Sequence, residues 1–338
     1  MRFALNAVQI AVMSLVLAGT TVAEANSKRD VRIAGAIYAG DLPTYVADER
    51  GFFAGHGLEA TVQYSDSGKR SMALLRSGDV DFALMALTPF VLDRAADPDP
   101  GQPDDPVILA SLLQSHELTA VMVSHASGIE SPADLAGRRV RVGRGSSSEF
   151  VLWLFEQFHG IDGTSVERVS IAFPDLPDAF TSGRVDAAVL VEPWASRLDA
   201  QANRFDISGL YAGRWILVTT RRHVLEHPDL NRNMVKAYRQ AIEFIERAPD
   251  DAISIYIQSI ETADSPFDLR WEALDFDICL DWALVASLRE QFLWARDTGT
   301  DNTDNPIHVL GLIEPGPLND VWPAAVRIPV AARRETTP

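Results

Sequence analysis

The run Gly145-Ser146-Ser147-Ser148 places small, hydroxyl-bearing residues directly ahead of Phe150, Val151, Leu154, Phe155 and Phe158, which recur at helical spacing. Backbone N–H groups at the start of such a helix point at whatever lies before its first turn, and the helix dipole favours an anion there, such as a sulfonate or carboxylate. Serine is also an ordinary N-cap, so the same run reads as a cap with no ligand. Glu192, between an apolar run and Pro193, offers an acceptor to an amine or amino-heterocycle, and Trp194 beside it offers a stacking or cation–π face. A surface glutamate beside a core tryptophan is the plain alternative. Asp41 and Asp175 stand in comparable strand-end loops, while Tyr38, Ser67, Gly68, Leu87 and Thr88 are wall or hydrogen-bonding candidates that also read as turn residues. Acids converging opposite a serine-rich anion site describe a ligand with a positive or donor-rich group, a zwitterion for example.

Asp175 and Glu192 also read as an acid/base pair, which keeps an enzyme among the alternatives. Against catalysis, the chain has no GxSxG elbow and no CxxC pair. Gly143-x-Gly145 lacks the third glycine of a dinucleotide loop, with Ser148 in its place. His223 and His227 lie one helical turn apart, a metal-ligand spacing, but with no third ligand nearby and no HExxH a solvated face is expected. No cofactor and no metal are expected.

The elements that must position these residues are set by a repeat. Ser77, Gly78, Val80, Asp81 and Ala83 recur in step as Ser182, Gly183, Val185, Asp186 and Ala188. Each copy reads as a helix end, a glycine able to take the left-handed cap conformation, and a short apolar strand without alternation, as suits a strand covered on both faces. Shared turn chemistry without duplication is the bland account. Strands Val31–Tyr38, Glu59–Tyr64 and the first repeat, with a helix opened by Pro43 and ended at Gly51 and another over 69–76, give a βαβαβ order. Val107–Leu113 and Leu118–Val123 are further strands, and the proline-rich acidic segment 97–106 is expected to be an exposed loop. A capped helix over 131–137, strand Arg139–Val142, the serine-led helix, strand Val166–Phe173 and the second repeat complete another βαβαβ unit. The segment 207–211 crosses back, Trp215–Thr220 returns to the first unit, and a helical tail follows in which Leu230, Met234, Tyr238, Ile242 and Ile245 share one face. Ligands of such sheets sit beyond the strand carboxyl ends, here in a cleft between two lobes.

Residues 1–25 begin with Arg2, continue apolar and finish in Ala23-Glu24-Ala25, the pattern of a secretory signal peptide cleaved near Ala25. The expected organisation is therefore a signal peptide over 1–25, first-lobe segments over 26–124 and 211–338, and a second lobe over 125–210. A hydrophobic fraction of 47% suffices for two ordinary cores. The net charge of -17 argues against nucleic-acid or anionic-membrane partners. With Cys279 the single cysteine, no internal disulfide is available even after export.

Asp48-Glu49-Arg50-Gly51-Phe52-Phe53 with Gly57-Leu58, then Ala73-Leu74 and Ser77-Gly78-Asp79-Val80-Asp81, then Asp134-Leu135-Ala136-Gly137 before Val140, together resemble the periplasmic solute-binding proteins of ABC importers for nitrate, aliphatic sulfonates, taurine and thiamine-precursor pyrimidines. The resemblance spans about Val31 to Thr220. It implies a type II-like, two-lobed periplasmic-binding-protein fold with a hinge, a monomer that closes on a small molecule, delivery to ABC permease subunits in the inner membrane, and no catalysis. Pyrimidine synthases of yeast type share that fold but carry a cysteine-rich iron-site motif absent here. A ligand-sensing subunit of a membrane signalling protein is a further alternative on the same frame.

Overall fold

The computed structural model describes residues 29–97, 101–260, 271–299 and 308–330; the expected signal peptide lies outside them. Strand β1 (Arg29–Ala36) runs parallel to β2 (Leu58–Ser65) along its whole length and to β3 (Phe82–Ala86) on its other side. The β1–β2 crossover holds α1 (Leu42–Glu49), started by Pro43, and the short α2 (Phe52–Gly55), set off by Gly51 at φ 67°. Helix α3 (Gly68–Ser77) precedes β3, and α4 (Leu87–Ala96) follows it. Phe82, Ala83, Leu84 and Met85 are all fully buried, so both faces of β3 are covered, and each larger side chain contributes about 1.5–3 kcal/mol by leaving water.

After β4 (Pro106–Ser115) the chain leaves this sheet. Strand β5 (Thr119–Ser124) already belongs to the second sheet, so the change of sheet falls between Ser115 and Thr119, ahead of the boundary expected at 124. The second sheet continues with β6 (Arg139–Arg141), α5 (Ser147–His159), β7 (Glu167–Val169), α6 (Leu176–Thr181), β8 (Ala187–Val191) and β9 (Ala202–Phe205). Strand β10 (Gly213–Thr220) then returns to the first sheet and inserts antiparallel between β3 and β4. The resulting orders, β2-β1-β3-β10-β4 and β7-β6-β8-β5-β9, are the same pattern twice. Each sheet has three parallel strands followed by an antiparallel strand next to a chain crossing. The two crossings lie side by side, with His116 Nδ1 3.1 Å from the Tyr211 carbonyl oxygen.

The repeated aspartates explain why the motif occurs in both lobes. Asp81 Oδ2 accepts the Arg32 amide at 2.8 Å and Oδ1 pairs with the Arg32 guanidinium at 3.0 Å. Asp186 does the same for Arg139, at 2.9 and 3.0 Å. Gly78 at φ 75° and Gly183 at φ 67° turn the chain out of the preceding helices, and Val80 and Val185 are buried. The repeat is thus a device that joins the last strand of each βαβαβ unit to its first, β3 to β1 and β8 to β6.

Three expectations are corrected. Strand β7 stops at Val169, because Phe173-Pro174-Asp175 forms a turn of 3-10 helix and proline cannot donate to a ladder. Strand β9 lies outside the expected set, since Ala202–Phe205 is short and half-polar. The acidic loop is not wholly exposed: Asp105 is buried, accepting the amides of Gly101 and Gln102 and pairing with Arg94, while residues 98–100 lie outside the described residues.

The C-terminal part adds α7 (Arg221–Glu226), α8 (Pro228–Arg247), α9 (Pro249–Ser259), α10 (Trp282–Asp297) and α11 (Gly316–Val321). Helix α8 buries Met234, Tyr238, Ile242 and Ile245 and packs on α1, α2 and α11. Helix α10 packs on α4, and its Trp294 also meets Phe150 of α5 at 5.3 Å, so the tail touches both lobes. No described helix is long and apolar enough to cross a membrane.

Candidate functional site

A cavity of about 500 Å³ lies between the lobes and is lined from both sides by strand-end loops. Ile37 and Tyr38 follow β1, Ser67 and Gly68 follow β2, Arg141 to Ser148 run from β6 into α5, and Ser170 to Pro174 follow β7. Val191 and Trp194 close it at the end of β8, and Trp215 of β10 forms the floor. Gly68 is required by close approach: a Cβ there would lie 2.7 Å from Pro89 Cγ, so any larger residue would push α3 away from α4.

Arg141 is the most informative lining residue. It is only 7% exposed. Its Nε donates to the Ile171 carbonyl at 3.1 Å, and its guanidinium lies 4.2 Å from the Phe173 ring centroid. Among the described residues no carboxylate forms an ion pair with it, and its Nη atoms find no hydrogen-bond partner. Burial lowers its pKa, opposed by the neighbouring Tyr38, yet guanidinium stays protonated at physiological pH. Lys69 and Arg144 add two exposed cations, and among the described residues Asp66 is the single acidic lining residue. The protein as a whole is strongly acidic, but this cavity is cationic.

Beside these cations stands an aromatic wall. Phe173 stacks on Trp194 with centroids 4.6 Å apart and planes at 9°, Tyr38 meets Phe173 edge-on at 6.3 Å, and Tyr38 leans on Trp215 at 5.9 Å. The Tyr38 hydroxyl is held by donation to the Asp66 carbonyl at 2.6 Å. Such a wall buries a flat or hydrocarbon body while the cations meet its charged end.

Of the residues singled out in the sequence, Tyr38, Ser67, Gly68, Gly145, Ser146, Ser147, Ser148 and Trp194 are brought together here. Ser146 is at the same time the N-cap of α5: its Oγ accepts the Ser148 amide at 3.2 Å and donates to the Gly143 carbonyl at 2.6 Å. Glu149 folds back onto the Gly145 amide at 2.6 Å.

The remaining five are elsewhere. Asp41 is fully buried behind Trp215, accepting from the Ala36 amide, the Thr44 hydroxyl and the Trp215 indole. Glu192 turns away from the cavity into a buried pair with Arg204 at 2.8 Å and also accepts the Ser196 amide. What Glu192 lends the cleft is its backbone carbonyl, which accepts the Ala39 amide of the first lobe at 3.1 Å. Asp175 is exposed at the start of α6 and does not line the cavity. Leu87 and Thr88 form the first turn of α4, not a loop: Leu87 is core, and the Thr88 hydroxyl donates to Ser147 Oγ across the lobes at 3.4 Å. The expected convergence of acids is therefore replaced by cations. Arg141, Lys69, Arg144, Phe173 and Trp215 are absent from the sequence-based set, although Arg141 ends β6 and obeys the same strand-end rule that picks out Tyr38.

His223 and His227 are 5.0 Å apart, but His223 packs edge-on against Phe82 and engages Asn231, and no metal-holding group of three occurs among the described residues.

Two like-wound lobes with a ligand-sized cavity between them define the periplasmic-binding-protein class. Over residues 41–252 the chain matches the family described as NMT1/THI5 like, and it belongs to that family. It is 24% identical over 245 residues to the formylaminopyrimidine-binding protein of Halalkalibacterium halodurans, covering 70% of this chain and 72% of that one. In structure it is similar to the alkanesulfonate-binding protein SsuA from Xanthomonas axonopodis pv. citri bound to MOPS, with TM-score 0.65, 17% identity, and 81% and 94% of the two chains covered. It also shares its fold with the desulfurization enzyme DSZB, with TM-score 0.62, 21% identity, and 86% and 98% covered.

Proposed function

We propose that this chain is the exported, solute-binding component of an ABC-type importer and captures a small organic anion, a sulfonate first of all, by closure of its two lobes. The carrying observation is Arg141, a buried guanidinium at the cavity with no carboxylate partner among the described residues. A buried cation without a counter-charge is costly, and an anion able to accept its forked N–H groups removes that cost with directional, charge-assisted hydrogen bonds. The aromatic wall supports an organic body on that anion over a bare inorganic ion. An amino-heterocycle or zwitterion is less well served, since Asp66 is the one acid among the lining side chains.

The two crossings, between β4 and β5 and between β9 and β10, are the natural hinge. Binding without turnover is the expected activity: among the described residues no histidine or cysteine lines the cavity, and Cys279 is buried against Ser111 in the first lobe with its thiol pushed by burial up to about 12. Calorimetry with short organic sulfonates, carboxylates and aminopyrimidines tests the reading. Saturable binding of an anion, lost in Arg141→Met, is expected; binding of an aminopyrimidine alone, unaffected by that substitution, would overturn it.

A further inference from the structure

A second cavity of about 660 Å³ adjoins the first and shares Lys69, Pro89 and Gly145 with it. It lies between α3 and α4 of the first lobe, α5 of the second, and α10. Its apolar surface comes from Met72, Pro89, Leu92, Trp153 and Trp294. Apart from Lys69 at its edge, its charged lining groups are already engaged by the protein: Asp93 accepts from Arg76 at 2.6 Å, Arg168 donates to Glu156 at 2.6 Å, and Glu149 accepts the Gly145 amide at 2.6 Å. What this second chamber offers a ligand is therefore hydrocarbon and indole surface.

The partition between the chambers is thin. The aliphatic stem of Lys69, from α3, lies directly against the Gly145 backbone, so close that a Cβ at Gly145 would sit 2.8 Å from Lys69 Cδ. Lys69 is exposed and pairs with no described residue, so nothing but rotamer freedom holds its side chain across the neck. Lys69 lines both chambers, and its ammonium adds to the charge that Arg141 and Arg144 bring to the first.

Resting on the anion reading above, we infer that the physiological ligand class is an organic anion with an elongated apolar tail, its head at Arg141 and its tail passing Lys69 into the chamber walled by Trp153 and Trp294. The shared neck residues, the absence of a free charge beyond it and the presence of two indoles all favour the tail of the same ligand over a second polar solute.

The test is calorimetry with butane-, octane- and dodecanesulfonate, each below its micelle concentration. Every methylene entering an apolar chamber tightens binding by up to about fourfold, so affinity is expected to climb from butane- to dodecanesulfonate. Ala73→Trp, which fills the second chamber from α3, should abolish that climb and leave butanesulfonate as in the parent. Trp153→Ala, which removes one wall, should weaken the long chains alone and serves if Ala73→Trp does not fold. Butanesulfonate binding with no gain along the series, or a gain untouched by both substitutions, overturns the tail inference and leaves the anion reading standing. No binding by any sulfonate, with organic carboxylates silent as well, overturns both.

Discussion

The Trp215 indole nitrogen donates to the Asp41 carboxylate at 3.3 Å, so the floor of the cavity is tied to a buried acid that forms no ion pair among the described residues. Burial drives that carboxyl up to about 7, against hydrogen bonds from Thr44, Ala36 and Trp215 that pull it down. A folded pKa above the unfolded one means that the native state holds the proton more tightly. The contribution of Asp41 to stability is therefore complete below about pH 4 and is lost as pH rises towards about 7, each pH step of one between those limits removing about 1.4 kcal/mol. Asp41→Asn should flatten the stability profile across that window. It should also cost about 1–3 kcal/mol at the acid end, where the Ala36 amide loses its acceptor. Urea midpoints at about pH 5 and about pH 8 measure both effects.

Asp186 shows the opposite sign. Burial opposes its ionisation, but the side-chain and backbone hydrogen bonds from Arg139 outweigh it and hold the carboxyl below its ordinary range. Its contribution is present above the unfolded pKa and is lost as pH falls through the lower folded value. Asp186→Ala is expected to cost about 1.5–3 kcal/mol near neutral pH, and the deficit relative to the parent should shrink in acid. Asp81→Ala should carry a similar cost near neutral pH in the first lobe, given the matching geometry with Arg32. Denaturation curves near neutral pH for both variants, and across the acid range for Asp186→Ala, would check this.

Much of this fold is legible in the sequence because its signals are local. The glycines at 78 and 183, the apolar runs of β3 and β8, and the Pro43 helix start each act within a few residues, and they recur in the order that doubles the lobe. The site is legible only where a residue's position on its strand decides its direction, as for Tyr38, Gly145 to Ser148 and Trp194. Legibility fails where a distant partner decides. Glu192 turns away because Arg204, on a strand too short to stand out in the sequence, reaches it, and Asp41 is claimed by an indole far along the chain. Arg141 escapes notice because a strand arginine looks like an ordinary exposed end until its surroundings show that no described carboxylate pairs with it.

Glu192→Gln separates the two accounts of that residue. Removing one partner of a buried ion pair leaves Arg204 partly uncompensated, at a cost of about 3 kcal/mol, softened because Arg204 also pairs with Asp199. Affinity for an organic anion should stay within about twofold of the parent at a temperature where both are folded, since only the backbone carbonyl of Glu192 faces the other lobe. A roughly tenfold loss of affinity with unchanged thermal stability would return the Glu192 side chain to the cleft.

Phe173 carries two contacts at once: it stacks on Trp194 and supports the Arg141 guanidinium at 4.2 Å. The cation–π contact contributes about 0.5–2 kcal/mol depending on how dry it is, and the aromatic pair about 0.5–1.5 kcal/mol beyond its area. Phe173→Leu keeps an apolar side chain but loses both, and the arginine then has no flat surface to hold its fork toward the ligand. The expected result is an affinity loss of about tenfold for an organic anion, with a smaller effect on the unfolding midpoint because Phe173 is only half-buried at the cavity wall. Phe173→Tyr preserves the ring and should restore binding. An affinity unchanged in Phe173→Leu would mean that Arg141 is positioned by its Ile171 hydrogen bond alone, and that the aromatic wall serves the lobe's packing, not the ligand.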